Sequence, residues 1–119
     1  MIYIGTDLVK ISRIDKIITD KGQRFLSHVF THNEQSFCNA KAMPYIHYGG
    51  KFAAKEAVKK ALLSSNEKKN IPLNSIEIQN NDDGAPVVIL KDSTSCSGNL
   101  QVSISHTDEY ATAIAILEI

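Results

Sequence analysis

Apolar and polar residues alternate along this chain in two rhythms. After one opening strand, apolar residues recur at helical spacing; from Ile71 onward the period changes to two. "MIYIGTDLV" is rich in β-branched and aromatic residues and reads as the first strand, broken near Gly5. Ser12 is placed to cap a helix beginning at Arg13, with Asp15 as a weaker capping-box partner. Ile14, Ile17 and Ile18 give that helix one apolar stripe, and Gly22 ends it. A short segment "QRFLSHVF" follows. "THNE" then supplies a capping box, Thr31 with Glu34, for a helix carrying Phe37 and Ala40.

"KAMPYIHYGG", with Pro44 and a glycine pair, reads as a loop. A helix runs from about Gly50 to Leu63, and "SSNEKKN" is a polar loop. "SIEIQ", "APVVILK", "LQVSIS" and "ATAIAILEI" read as strands, with "NNDDGA" as a hairpin turn. "ATAIAILEI" is apolar on both faces, so it belongs in a central position or at an interface. The expected class is α+β, a small antiparallel sheet of about three or four strands packed with helices. With no internal repeat and no long linker, residues 1–119 form one domain.

At 119 residues one modest core is affordable, so a site on the surface or between subunits is the expected design. The formal net charge is zero, which removes any global pull toward nucleic acid or a membrane. Cys38 and Cys96 stand far apart without a CxxC pair, which excludes a thiolate zinc site and suits free thiols in a reducing cytosol. No signal-peptide pattern opens the chain, and no apolar run approaches the roughly 18 residues of a membrane helix. A cytoplasmic protein is expected.

On the helix "GGKFAAKEAVKKALL", Ala53, Ala54, Ala57, Val58, Ala61 and Leu62 form one apolar arc. Lys55 and Lys59 fall on the opposite, outer side, and Glu56 sits with Lys60 at the edge of the arc. Glu56 has two readings: an i, i+4 ion pair with Lys60 worth about 0.2–0.5 kcal/mol, or a carboxylate holding a divalent cation. Asp7, at the end of the first strand, is a turn residue or a second carboxylate of the same kind. In "SISHT", His106 follows Ser103 and Ser105 on a polar strand face, a solvated strand end or a phosphate contact. His28, His32 and His47 have no metal-ligand spacing.

"GTDLVKISRI", "KFAAKEAVKKAL", "GAP" before a strand, and "SISHT" occur in this order across the chain. Together they resemble the holo-[acyl-carrier-protein] synthase family, short 4′-phosphopantetheinyl transferases. The resemblance implies that fold, a homotrimer with active sites between subunits, and magnesium-dependent transfer. The phosphopantetheine arm of coenzyme A would move to a serine of apo-acyl carrier protein, releasing adenosine 3′,5′-bisphosphate. Asp7 and Glu56 match the family's metal ligands and Lys60 its lysine near the phosphates. His106 matches a coenzyme A contact, with Lys51, Gly84, Pro86, Ser105 and Thr107 as further contacts. A water or a carboxylate, Glu56 being nearest, takes the serine proton. Arg13 matches the arginine that meets the carrier protein, and Lys16 and Arg24 extend that basic surface toward an acidic partner.

The chain also departs from the family pattern. Lys51 stands where arginine is common, keeping charge without the bidentate fork. The preceding loop offers only Lys41 and His47, and the turn reads Gly84-Ala85-Pro86. These departures motivate a second reading, a non-catalytic oligomer that binds coenzyme A or a carrier protein. A metal-dependent phosphohydrolase is the third.

Overall fold

In the computed structural model, which describes residues 1–66, 70–91, 94 and 96–119, helices and strands follow the two rhythms. The order is β1 (Ile2–Lys10), α1 (Ile11–Lys21), α2 (Gln23–Val29), α3 (His32–Asn39) and α4 (Pro44–Ser64). A short 3-10 turn (Leu73–Ser75), β2 (Ile76–Asn80), β3 (Pro86–Leu90), β4 (Asn99–His106) and β5 (Tyr110–Glu118) complete it. The class is α+β, as expected.

The strands do not form one sheet. β1 returns to pair with β5 from the far end of the chain, in a three-stranded antiparallel sheet ordered β1-β5-β4. β2 and β3 form a separate two-stranded hairpin. Its free edge is satisfied by charged side chains in place of a third strand. The Lys55 ammonium donates to the Ile76 carbonyl at 2.6 Å, and the Lys51 ammonium to the Ile78 carbonyl at 2.7 Å. The Ile78 amide donates to Glu34 at 2.7 Å.

Helix α4 begins at Pro44, six residues before the expected start at Gly50. Proline is tolerated at the first helical position, and the glycine pair permits close packing. A Cβ on Gly50 would lie 3.3 Å from Ile104, and one on Gly49 3.2 Å from Ile11. "QRFLSHV" is helix α2, and α1 starts at Ile11 without a side-chain cap from Ser12. The Thr31–Glu34 capping box is present, and Gly22 ends α1 with φ of 57°. The expected loop "SSNEKKN" includes residues 67–69, outside the described residues.

The alanine-rich arc of α4 is buried with Ile11, Ile14, Ala111, Ala113, Ala115 and Leu117. β5 is the central strand, as its composition predicts, but only its alternate residues face this core; Ile114 and Ile116 are exposed. Lys55 requires a correction. It lies on no outer face: its side chain is 0% exposed and paired with Glu34, also 0% exposed. Helix α3 and strand β2 cover the side of α4 opposite the alanines. The lysine stem supplies apolar packing while its head finds acceptors.

Candidate active site

Strand β1 crosses α4 in close contact. A Cβ at Gly5 would sit 1.9 Å from the Ala57 carbonyl oxygen, so this crossing needs glycine. Asp7, two residues on, thereby reaches Lys60. The Lys60 ammonium donates to Asp7 Oδ1 at 3.1 Å and to the Thr6 carbonyl at 2.8 Å. The Asp7 side chain is 16% exposed and that of Lys60 51%. Glu56 lies one helical turn before Lys60, half-buried, with no hydrogen bond or ion pair among the described residues. The i, i+4 pair is therefore not formed; Lys60 turns to Asp7 instead.

Two carboxylates thus adjoin one lysine at the edge of α4. Cβ atoms one turn apart on a helix lie about 5–6 Å from each other, so Glu56 stands beside the Lys60–Asp7 contact. Among the described residues no group of three or more His, Cys, Asp or Glu side chains converges as a metal cage. A pair of hard oxygen ligands completed by substrate phosphates is the donor set that magnesium prefers. The residues present fit such an ion.

A groove of about 570 Å³ opens on the other side of the N-terminal half of α4. Lys41, His47 and Lys51 line one wall, the β2–β3 turn from Asn80 to Pro86 another, and Ile104 and His106 the floor. Among the described residues Asp82 is the one acidic side chain in this lining. Burial and the neighbouring Lys41, His106 and Lys51 charges hold the His47 imidazole below its ordinary value. The groove suits an anion. A depression of about 610 Å³ between β3 and β4 has no titratable lining side chain among the described residues.

The sequence-predicted contacts divide among several places. Lys51, Gly84, Pro86 and His106 share the groove. Lys51 and Glu56 are five residues apart on α4, about 7.5 Å of helical rise. Exposed His106 has Nδ1 3.2 Å from the Thr107 carbonyl; a proton on Nδ1 leaves Nε2 open as an acceptor. Thr107 closes the β4–β5 turn, its hydroxyl oxygen accepting the Glu109 and Tyr110 amides at 3.1 Å. Ser105 lies on the outward face of the sheet with Thr6, Ser103 and Thr112. Arg13, Lys16 and Arg24 are exposed on α1 and α2, and Lys16 pairs with Asp20 at 2.9 Å.

Sequence reasoning missed the residues that hold Lys51. Only 4% exposed, its ammonium donates to the Ile78 carbonyl and to Asn80 Oδ1 at 2.8 Å. It also sits 4.4 Å from the centroid of the Phe37 ring. Burial pulls this ammonium below its ordinary value. No local pattern signals these partners, because Phe37 and Asn80 lie on other elements.

A model of the 4′-phosphopantetheinyl transferase superfamily matches residues 3–115. The holo-[acyl-carrier-protein] synthase of Protochlamydia amoebophila is 44% identical over 116 residues, covering 95% of this chain and 94% of that protein. The synthase of that name from Thermodesulfovibrio yellowstonii is 39% identical over 114 residues, 96% of each chain. The solved holo-[acyl-carrier-protein] synthase of Helicobacter pylori in complex with coenzyme A superposes with a TM-score of 0.84. It shows 30% identity, covering 97% of this chain and 99% of that one. A Bacillus anthracis synthase in complex with coenzyme A (3′,5′-ADP) gives a TM-score of 0.81 and 31% identity, covering 97% and 94%.

Proposed function

Because the chain belongs to the 4′-phosphopantetheinyl transferase superfamily, among the holo-[acyl-carrier-protein] synthases, we propose that it transfers 4′-phosphopantetheine from coenzyme A to a serine of apo-acyl carrier protein. The acceptor serine oxygen forms a bond to the β-phosphorus, adenosine 3′,5′-bisphosphate leaves, and the serine proton is released. The observation that carries the reading is the Asp7–Lys60 contact with Glu56, unpaired among the described residues, beside it, on the same helix as a groove lined by Lys41, His47, Lys51 and His106.

Phosphoryl transfer needs positioning and charge stabilisation more than covalent help from the protein. Asp7 and Glu56 would hold magnesium, which would supply positive charge to offset the diphosphate and polarise its phosphorus. Lys60, tethered by Asp7 and the Thr6 carbonyl, keeps one N–H to offset charge building on the leaving phosphate. The groove residues Gly84, Pro86 and His106 form the coenzyme A wall, with Lys51 buried behind it and Ser105 and Thr107 as outlying contacts. Arg13, Lys16 and Arg24 steer the acidic carrier protein.

Residues 1–119 act as one domain in a cytoplasmic homotrimer with active sites between subunits. Support for assembly comes from the outward face of the β1-β5-β4 sheet. Ile2, Ile4, Leu8, Ile114 and Ile116 are exposed there on one face, a grouping of apolar side chains of the kind that marks an interface. Among the described residues no helix is long and apolar enough to cross a membrane.

The test is mass spectrometry of apo-carrier protein mixed with coenzyme A and magnesium. Addition of the phosphopantetheine mass is expected, lost in Asp7→Ala and Glu56→Ala while both variants stay folded. Full transfer by either variant overturns the assignment. Lysine at position 51, with its ammonium held by protein acceptors, and the arginine-poor segment before it motivate a second reading, a non-catalytic oligomer that binds coenzyme A or a carrier protein. No mass shift with several carrier proteins, but retained coenzyme A binding, would select it. Release of product without any acceptor would select a phosphohydrolase.

A further inference from the structure

We infer that Lys51 is a positioning residue, which sets the β2–β3 turn against the groove through Asn80 rather than by touching the substrate. The inference rests on the coenzyme A reading of that groove. Lysine has three N–H donors and no acceptor. Two of them are committed, to the Ile78 carbonyl at 2.7 Å and Asn80 Oδ1 at 2.8 Å, and the Phe37 ring covers the ammonium at 4.4 Å. Because the ammonium can only donate, it fixes the orientation of the Asn80 amide. Oδ1 faces Lys51, and Nδ2 faces the turn, where it donates to the Gly84 carbonyl at 3.0 Å.

The turn itself is closed from inside. Asn81 Oδ1 accepts the Asp83 amide at 3.0 Å and the Ala85 amide at 2.9 Å, and Gly84 takes φ of +88°. These bonds hold the turn in one shape. Two side-chain hydrogen bonds in series, Lys51 to Asn80 and Asn80 to Gly84, tie the turn to α4. Asn80, Asn81, Asp82, Gly84 and Pro86 all line the groove. Displacing the turn widens the groove without touching Asp7, Glu56 or Lys60.

The experiment measures coenzyme A affinity by calorimetry and amide hydrogen exchange at residues 83–85, in wild type, Asn80→Ala, Lys51→Met, Lys51→Arg and the double Asn80→Ala/Lys51→Met. Loss of a hydrogen bond to a charged group predicts a dissociation constant raised about tenfold in each of the two single removals. The double variant stays within about twofold of either, because both break one chain of contacts. Exchange at 83–85 quickens, and Lys51→Arg restores most of the affinity. In transfer assays the loss enters KM for coenzyme A rather than kcat. Asn80 is exposed, so Asn80→Ala keeps the test alive if Lys51→Met fails to fold. Wild-type affinity in Asn80→Ala overturns the inference. So does multiplication of the two effects in the double variant, since it places Lys51 directly on the ligand. Absent binding in wild type would instead defeat the coenzyme A reading, and the exchange measurement would still decide whether Lys51 holds the turn.

Discussion

Glu34→Gln is the sharpest probe of how the fold is held. Glu34 Oε1 accepts the Thr31 amide at 2.9 Å and pairs with the Lys55 ammonium, while Oε2 accepts the Ile78 amide at 2.7 Å. Glutamine has one acceptor oxygen. Turned toward Ile78, it sets its NH2 against the Thr31 N–H and the Lys55 ammonium; turned the other way, it sets NH2 against the Ile78 N–H. Either way a buried donor faces a donor, and Lys55 loses its carboxylate charge partner, keeping at most a neutral amide oxygen beside the Ile76 carbonyl. Removing one partner of a buried pair costs about 3–5 kcal/mol, a large share of the roughly 5–15 kcal/mol that holds a domain. For this chain length that lowers Tm by about 10–20 °C. Urea and thermal melts followed by circular dichroism provide the measurement. The double replacement Glu34→Gln/Lys55→Met should cost less than the sum of the two singles, because it leaves no uncompensated charge. Burial draws Lys55 below its ordinary 10.5 against the pull of Glu34. Without Glu34 the native state holds its proton less well than the unfolded chain. The variant's stability therefore rises with pH up to about 10.5. A loss under about 1 kcal/mol in Glu34→Gln would refute the reasoning.

Gly5→Ala should cost about 3 kcal/mol or more, because its Cβ meets the Ala57 carbonyl at 1.9 Å. By shifting Asp7 against Lys60 it should also cut transfer more than tenfold, read by melts and mass spectrometry; a stable, active variant contradicts the crossing. Ile116→Lys places a charge on the exposed apolar sheet face. It should break the proposed trimer and shift the elution volume on gel filtration toward that of a monomer, and an unchanged volume removes that face from the interface. Burial pushes the Cys38 thiol up from 9.0 to about 12. Native protein near pH 8 should therefore not label there with a disulfide reagent until unfolded, and stability should fall as pH rises from about 9 toward 12. Rapid native labelling at Cys38 would refute this.

The local parts of the fold were legible because their causes are local. The Thr31–Glu34 box, the Gly22 stop, the Asn81–Gly84 turn and the period-two strands all depend on residues a few positions apart. The split into two sheets was not. It depends on β1 pairing with β5, more than a hundred residues away, and on side chains from α3 and α4 occupying the free edge of β2. The Gly49–Gly50 pair misled for the same reason: a helix-breaking signal reads as packing once Ile11 and Ile104 are placed against it. At the site, Asp7, Glu56 and Lys60 were singled out from their places on strand and helix, and joined into one site by motif order. That Lys60 prefers Asp7 to Glu56 is a tertiary fact, invisible along the helix. Glu34 was read as a cap alone, although its second oxygen and Lys55 give it a larger task.

Adjacent positions on α4 serve different ends because each residue turns by 100°. Lys55 points into α3 and β2, where its charge is buried and structural. Glu56, the next residue, emerges at the edge near β1, half-buried and unpaired among the described residues. Substitutions in the Lys55 column should therefore lower stability in proportion to lost acceptors, and substitutions in the Glu56–Lys60 column should lower activity at nearly constant Tm. Lys51 joins the two. It shares the buried column with Lys55, one turn away, yet its contact with Asn80 reaches the groove wall. A lysine in the structural column can thus govern ligand affinity without meeting the ligand, and a charge-preserving change to arginine there should be milder than any neutral one.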